Sequence, residues 1–146
     1  RKRIRQSEEI ARILRERHAR DGKPHRVVVC GDLNEVPDRA GANGAALGGR
    51  QTSVDALLVD SGLSNIVRDT LGPEKAFTHV EERGGAVQRG QIDYLLLSPD
   101  LKAAATNVGI DRSGQAHWGP KAPLRAQAAS DHACLFVDLE LARLVP

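Results

Sequence analysis

Five polar side chains stand at the ends of apolar runs. Asp32 and Asn34 follow Val27 to Cys30, Asp93 lies at the head of Ile92 to Leu97, and Asp131 and His132 precede Ala133 to Leu141. Three carboxylates, an amide and an imidazole are groups that can hold a divalent cation, orient water and move a proton. They can do so only if they meet. If the later strands run opposite to the first, strand starts and strand ends share one rim of a sheet, and the five converge. Clustered carboxylates repel one another, so such a group must bind a cation or hold its pKa values apart. Oxygen donors suit Mg²⁺ or Mn²⁺ better than zinc, and neither Cys30 nor Cys134 has the partner spacing of a zinc site.

Taken singly, each piece has an ordinary explanation. Gly31-Asp32 is a common turn pair, and Ser130-Asp131-His132 can be a polar strand entry. Asp93 is harder to dismiss, because a carboxylate beside the run Tyr94 to Leu97 risks burial without a partner. Order and placement together make the set specific.

The elements that must position these residues alternate along the chain. Residues 1 to 22 read as a helix, with Ile4, Ile10, Ala11, Ile13 and Leu14 on one stripe and Asp21-Gly22 as its end. Its arginines read first as a solvated face and second as a nucleic-acid grip. Val27 to Cys30 form a short strand, and Gly41 to Arg50 a flexible loop. Thr52 with Asp55 resembles a capping box opening a helix to Gly62. Strands are predicted over Ala76 to Val80, Ile92 to Leu97, Asn107 to Asp111 and Ala133 to Leu141, with Gly84-Gly85 in a turn and Ser98-Pro99-Asp100 as a stop. Arg112 to Ala129 has no clear period, and a loop that long is often functional.

Bulk properties narrow the class. A chain of 146 residues without repeats or a composition break fits one domain with a real core. Aromatics are only 3%, which argues against a binder that stacks single-stranded bases. A net charge of +2 is too small to indicate a polyanionic partner. No apolar stretch is long enough for a membrane span, and the start lacks a secretory signal pattern. Cys30 and Cys134 both sit in apolar runs and are expected as small core residues in a reducing compartment, which favours the cytoplasm while leaving localisation open. The opening Arg1-Lys2-Arg3 and the absence of Met lead us to expect further sequence upstream.

Gly31-Asp32-Leu33-Asn34 after a strand, Ile92-Asp93-Tyr94 opening a later one and Ser130-Asp131-His132 before the last resemble the endonuclease/exonuclease/phosphatase superfamily of deoxyribonuclease I-like fold. The opening helix, with Gln6 ahead of Ile10, resembles the family helix that precedes the first motif. The likeness covers nearly the whole chain and corresponds to the C-terminal half of the family domain. It implies an α/β (α+β) sandwich of which residues 1 to 146 supply about one sheet plus its helices, a single partial domain. It implies metal-dependent hydrolysis of phosphodiesters or phosphomonoesters, by a nuclease or phosphatase using Mg²⁺ or Mn²⁺. Residue by residue, Asp93 and His132 form a catalytic pair, Asp32 orients or deprotonates water, Asn34 donates to a phosphate oxygen, and Asp131 with Asp32 holds the metal. Thr78 is a candidate phosphate contact.

The family's early Asn and metal-binding Glu have no counterpart before Asp32, and Glu8, Glu9 and Glu35 lie in the wrong context. The sheet face that would meet the other sheet is therefore expected to be covered by an N-terminal half, a second copy or a partner chain. The expected partner in chemistry is a phosphate-ester substrate, with nucleic acid among the candidates. The alternative reading is a non-catalytic binding or assembly module that keeps the fold. Substrate choice is expected in the loop around Trp118, Gly119 and Pro120, with Arg112, Lys121 and Arg125 as anion contacts. His18, His25, His79 and His117 read as ordinary surface residues.

Overall fold

A computed structural model describes residues 2–22, 25–35, 52–83, 86–115 and 130–144. In chain order these form α1 (Lys2–Asp21), β1 (Val28–Asp32), α2 (Ser53–Ser61), β2 (Ser64–Asn65), α3 (Ile66–Leu71), β3 (His79–Arg83), β4 (Ala86–Gly90), β5 (Asp93–Leu97), α4 (Pro99–Ala104), β6 (Ala105–Asp111) and β7 (Cys134–Leu139). A 3-10 turn, Leu141–Leu144, follows. The strands pair into three small sheets, ordered β1-β5-β2, β3-β4 and β6-β7. The Gly41 to Arg50 and Gly84-Gly85 segments and the loop with His117, Trp118, Gly119, Pro120, Lys121 and Arg125 lie outside the described residues.

β5 explains the unbroken apolar run that encodes it. Successive side chains of a strand point to opposite faces, and both faces of β5 are covered. Tyr94 and Leu96 enter a cluster with Ala11 of α1 and Val54 and Leu57 of α2. Leu97 enters a second cluster with Ile66 and Val67 of α3 and Leu101 and Ala104 of α4, against which Val108, Ile110, Leu135 and Val137 pack from β6 and β7. β1 pairs antiparallel with β5. It is far more open than its sequence suggests: Val28 is 46% exposed, and Cys30 on the same face is exposed too.

Several expectations need correction. Both cysteines are free and exposed rather than core residues, because Cys30 and Cys134 occupy outward positions of their strands. The apolar stripe of α1 is narrower than its spacing implies: the small side chains of Ser7 and Ala11 are buried, while Ile10 and Ile13 stay exposed. Its arginines do stand on a solvated face, as read, and some of them bond within the chain. Arg12 pairs with Glu9 and Glu16, and Arg15 donates to the Asp60 carbonyl. Residues 76–78 have no regular structure, and the strand expected there starts at His79.

The capping box forms as read, with Thr52 and Asp55 bonding reciprocally and Gly62 ending α2 at φ 70°. Ser98-Pro99-Asp100 does more than stop β5. Pro99 opens α4, where a missing N–H costs nothing. Among the described residues no helix is long and apolar enough to cross a membrane.

Candidate active site

The antiparallel register of β1 and β5 sets Asp32 directly opposite Asp93. Strand end thus meets strand start. Gly31 sits at φ 144°, a conformation L side chains rarely adopt, and Asn34 follows in the left-handed region at φ 52°. Asn is among the few non-glycine residues that tolerate that region. The Asn34 backbone N–H donates to Asp32 Oδ1 at 2.8 Å and its Nδ2 donates to Oδ2 at 2.7 Å, so the carboxylate and the amide hold each other. Arg3 of α1 donates to the Asn34 carbonyl at 2.8 Å, and the Leu33 N–H donates to Ile92 O at 2.9 Å.

Thr78 ties the Asp93 segment to the His132 segment. It is fully buried, so it cannot reach a phosphate, and the expected phosphate contact gives way to a structural role. Its hydroxyl accepts the backbone N–H groups of Ile92 and Asp93, at 3.0 and 3.1 Å. Its carbonyl accepts the Ala133 N–H at 2.8 Å and the Gln115 side chain at 2.7 Å. Gln115 also donates to the Asp131 carbonyl at 3.1 Å. Beneath Asp93, the buried carboxamides of Gln91 and Asn65 bond to each other at 3.0 and 3.1 Å. The Tyr94 hydroxyl shares its proton between the carbonyls of Glu35 and Gln91. Burial raises the phenol's pKa far above its ordinary value, so it remains a donor.

On this frame His132 Nδ1 lies 2.9 and 3.2 Å from the two carboxylate oxygens of Asp93. Partial burial opposes charge on the ring. The hydrogen bond to Asp93 and the charges of Asp93, Asp131 and Asp32 outweigh it, and the imidazole pKa stands above the usual histidine value. Donor atoms of Asp32, Asp93 and His132 lie within 4.8 Å of one another, as do those of His79, Asp131 and His132. All the carboxylates read from the sequence are therefore grouped around one ring.

His79 is the residue the sequence reading misplaced. Its side chain is 19% exposed, its Nε2 is 3.6 Å from Asp131 Oδ2, and its ring centroid is 5.4 Å from that of His132. No local pattern marked it, because the burial of Thr78 and the bridge between His79 and His132 are visible only in the fold. Arg112, expected at an anion, instead lies over the Phe77 ring at 3.9 Å and donates to the carbonyls of Lys75 and Phe77.

The carboxylates divide between two groups, Asp32 with Asp93 and His132, and Asp131 with His79 and His132. Asp32 and Asp131 offer carboxylate oxygens of the kind Mg²⁺ or Mn²⁺ prefers, while Asp93 is engaged by His132. Each Asp32 oxygen accepts one bond from Asn34 and retains lone-pair capacity for a metal or water. Among the described residues no glutamate joins either group. Glu35 is occupied at the start of α2, where its carboxylate accepts from the Ser53 N–H and hydroxyl at 2.5 and 2.6 Å.

Comparison with solved structures finds the same fold in a 3′ phosphatase, NExo, from Neisseria bound to a product DNA hairpin, at 21% identity and a TM-score of 0.58. A 3′-5′ exonuclease, NExo, from Neisseria meningitidis matches at 22% identity and a TM-score of 0.56. Each match covers 88% of this chain and 50% of the other, so this chain spans about half the length of those proteins. A search of curated proteins gave no significant match. The model of the Endonuclease/Exonuclease/phosphatase family matches residues 2–132, nearly all of the chain and every polar residue of the site. With the fold and the paired motifs in agreement, the chain belongs to the Endonuclease/Exonuclease/phosphatase family.

Proposed function

We propose that this chain carries the histidine-bearing part of a divalent-cation-dependent phosphoesterase centre, which hydrolyses a phosphodiester or phosphomonoester. The observation that supports it best is the 2.9 Å contact of Asp93 with His132, beside an Asp32 held in register with Asp93. In this reading Asp93 fixes the proton on Nδ1 and favours the charged ring, and Nε2–H donates to an oxygen of the scissile phosphate. Asp32 orients a water and takes its proton as the water oxygen bonds to phosphorus and the ester oxygen leaves. Asn34 has a second amide hydrogen for a phosphoryl oxygen, and an amide adds no negative charge beside an anion. Asp131 and Asp32 would hold Mg²⁺ or Mn²⁺, which when bound neutralises charge on the phosphoryl group.

The chain corresponds in this reading to the C-terminal half of the family domain, and full activity needs a further metal-binding carboxylate from an N-terminal half. That fits the half-length match and the engagement of Glu35 by Ser53. It also fits the open face of β1. There an N-terminal half, a second copy or another chain would cover Val28 and Cys30. The likeness to proteins that act on DNA ends makes a 3′-phosphorylated DNA hairpin the first substrate to test, alongside a generic phosphodiester. The chain alone is expected to be nearly inactive.

The test is a Mg²⁺ and Mn²⁺ titration followed by thermal unfolding, on this chain and on a version extended upstream. Stabilisation that disappears in Asp131→Ala, with hydrolysis by the extended version, supports the proposal. If the metals stabilise neither protein and the extended version hydrolyses nothing, a binding or assembly module is the better description.

A further inference from the structure

We propose that His79, Asp131 and His132 form a second cation site, selective for a borderline transition-metal ion such as Zn²⁺ or Co²⁺. Three observations carry it. One donor atom of each residue lies within 4.8 Å of the other two. His79 Nε2 lies 3.6 Å from Asp131 Oδ2, too long for a good hydrogen bond. That distance is close to the separation of about 3.4 Å that two donors have around a tetrahedral ion with bonds of about 2.1 Å. An ion between them would draw both into contact with little movement.

The second observation is rigidity. His79 and His132 are joined by an antiparallel backbone bridge. The neighbouring Ala133 N–H donates to the Thr78 carbonyl, and the Gln115 side chain holds the Asp131 carbonyl. The main chain bearing all three donors is thus fixed without the metal.

The third is the state of the shared ring. His132 points Nδ1 at Asp93, which fixes its proton there and leaves Nε2 as the ligand atom. A metal-binding histidine commonly has such a carboxylate behind it, which orients the ring and increases its basicity. Two imidazoles and one carboxylate favour zinc or cobalt over magnesium, which seeks oxygen donors. This separates the site from the one proposed at Asp32 and Asp131, although the two share Asp131. Binding stands on geometry alone. Its consequence, that Zn²⁺ occupies His132 Nε2 and so blocks hydrolysis supported by Mg²⁺, rests on the phosphoesterase reading.

The experiment uses untagged, chelator-stripped protein titrated with Co²⁺ and then Zn²⁺. The wild-type chain is expected to bind one Co²⁺ with a visible ligand-field band, free of thiolate charge transfer, that Zn²⁺ abolishes. His79→Ala and the milder His79→Gln should each weaken binding by at least tenfold, while Asp138→Asn, a carboxylate of β7 bonded to Asn107, should leave it unchanged. Thermal unfolding in chelator identifies any variant that fails to fold. Equal affinity in folded His79→Gln and wild type, or displacement of Co²⁺ by equimolar Mg²⁺, would overturn the site. Failure of the extended protein to hydrolyse any phosphate ester counts against the phosphoesterase reading, whereas loss of Co²⁺ binding in His79→Gln still supports the site.

Discussion

The carboxylate of Asp93 and the imidazole of His132, 39 residues apart in the chain, meet at 2.9 Å. Their contact depends on main-chain pairing on both sides. Asp93 is set by β1, Thr78 and Gln91, and His132 by Thr78, through Ala133, and by His79.

Replacing Asp93 with Asn removes the charge that outweighs burial of the ring, so the His132 pKa should fall towards the ordinary histidine value. NMR titration of the metal-free protein measures this directly. The sign for stability follows: a pKa raised on folding contributes stability present below the unfolded value of about 6.5 and lost as pH rises through the folded value. The gap in melting temperature between wild type and Asp93→Asn should therefore narrow as pH rises across that window.

Thr78→Val keeps shape but strands two interior N–H groups, those of Ile92 and Asp93. The expected cost is about 1–3 kcal/mol, the usual penalty for an unsatisfied buried group. Thr78→Ser keeps the acceptor and should lose only about 1 kcal/mol for the methyl group. Denaturant unfolding separates them. The downfield resonance of the His132 Nδ1 proton should persist in Ser and broaden or vanish in Val.

Asn34 combines an unusual backbone with an amide proposed to contact phosphate, and two substitutions separate them. Asn34→Ala should cost about 1–2 kcal/mol, the strain of an ordinary L residue in the left-handed region. Asn34→Gly should relieve that strain while still removing the proposed phosphate donor. Comparable loss of hydrolysis in both, with the greater destabilisation in Ala, is the expected pattern in unfolding and rate measurements on the extended protein.

Gly109 of β6 lies under the ring of Phe136 on β7, and a Cβ there would sit 2.3 Å from a ring carbon. Gly109→Ala should destabilise by no more than about 1 kcal/mol, because the end of the exposed Phe136 ring must swing aside but has open space to do so. Adding Phe136→Ala should recover part of that loss, so a double-mutant cycle by chemical denaturation should show coupling between the two.

The clustering of Asp32, Asp93, Asp131 and His132 was legible because they mark the boundaries of the strongest apolar runs, and antiparallel pairing of β1 with β5 brings such boundaries together. What escaped was what local pattern cannot encode. α3 and β2 are too short to show a period, and α3 is started by the Asn65 side chain accepting from Arg68 N. Cys30 and Cys134 lie in apolar runs, yet strand alternation turns them outward. Thr78 looked like any strand threonine because its hydroxyl serves two backbone groups distant in sequence, and His79 became informative only once the bridge to His132 was known.

β1 lies at one margin of its sheet, with β5 on one side and no further strand on the other among the described residues. Its outer row of amide and carbonyl groups is a template for adding backbone. A strand docking there would run about 4.8 Å from β1, in a register set by its own side-chain pattern. A side chain of such a newcomer that paired level with Asp32 would arrive beside the centre, so a new ligand could join it through backbone pairing alone.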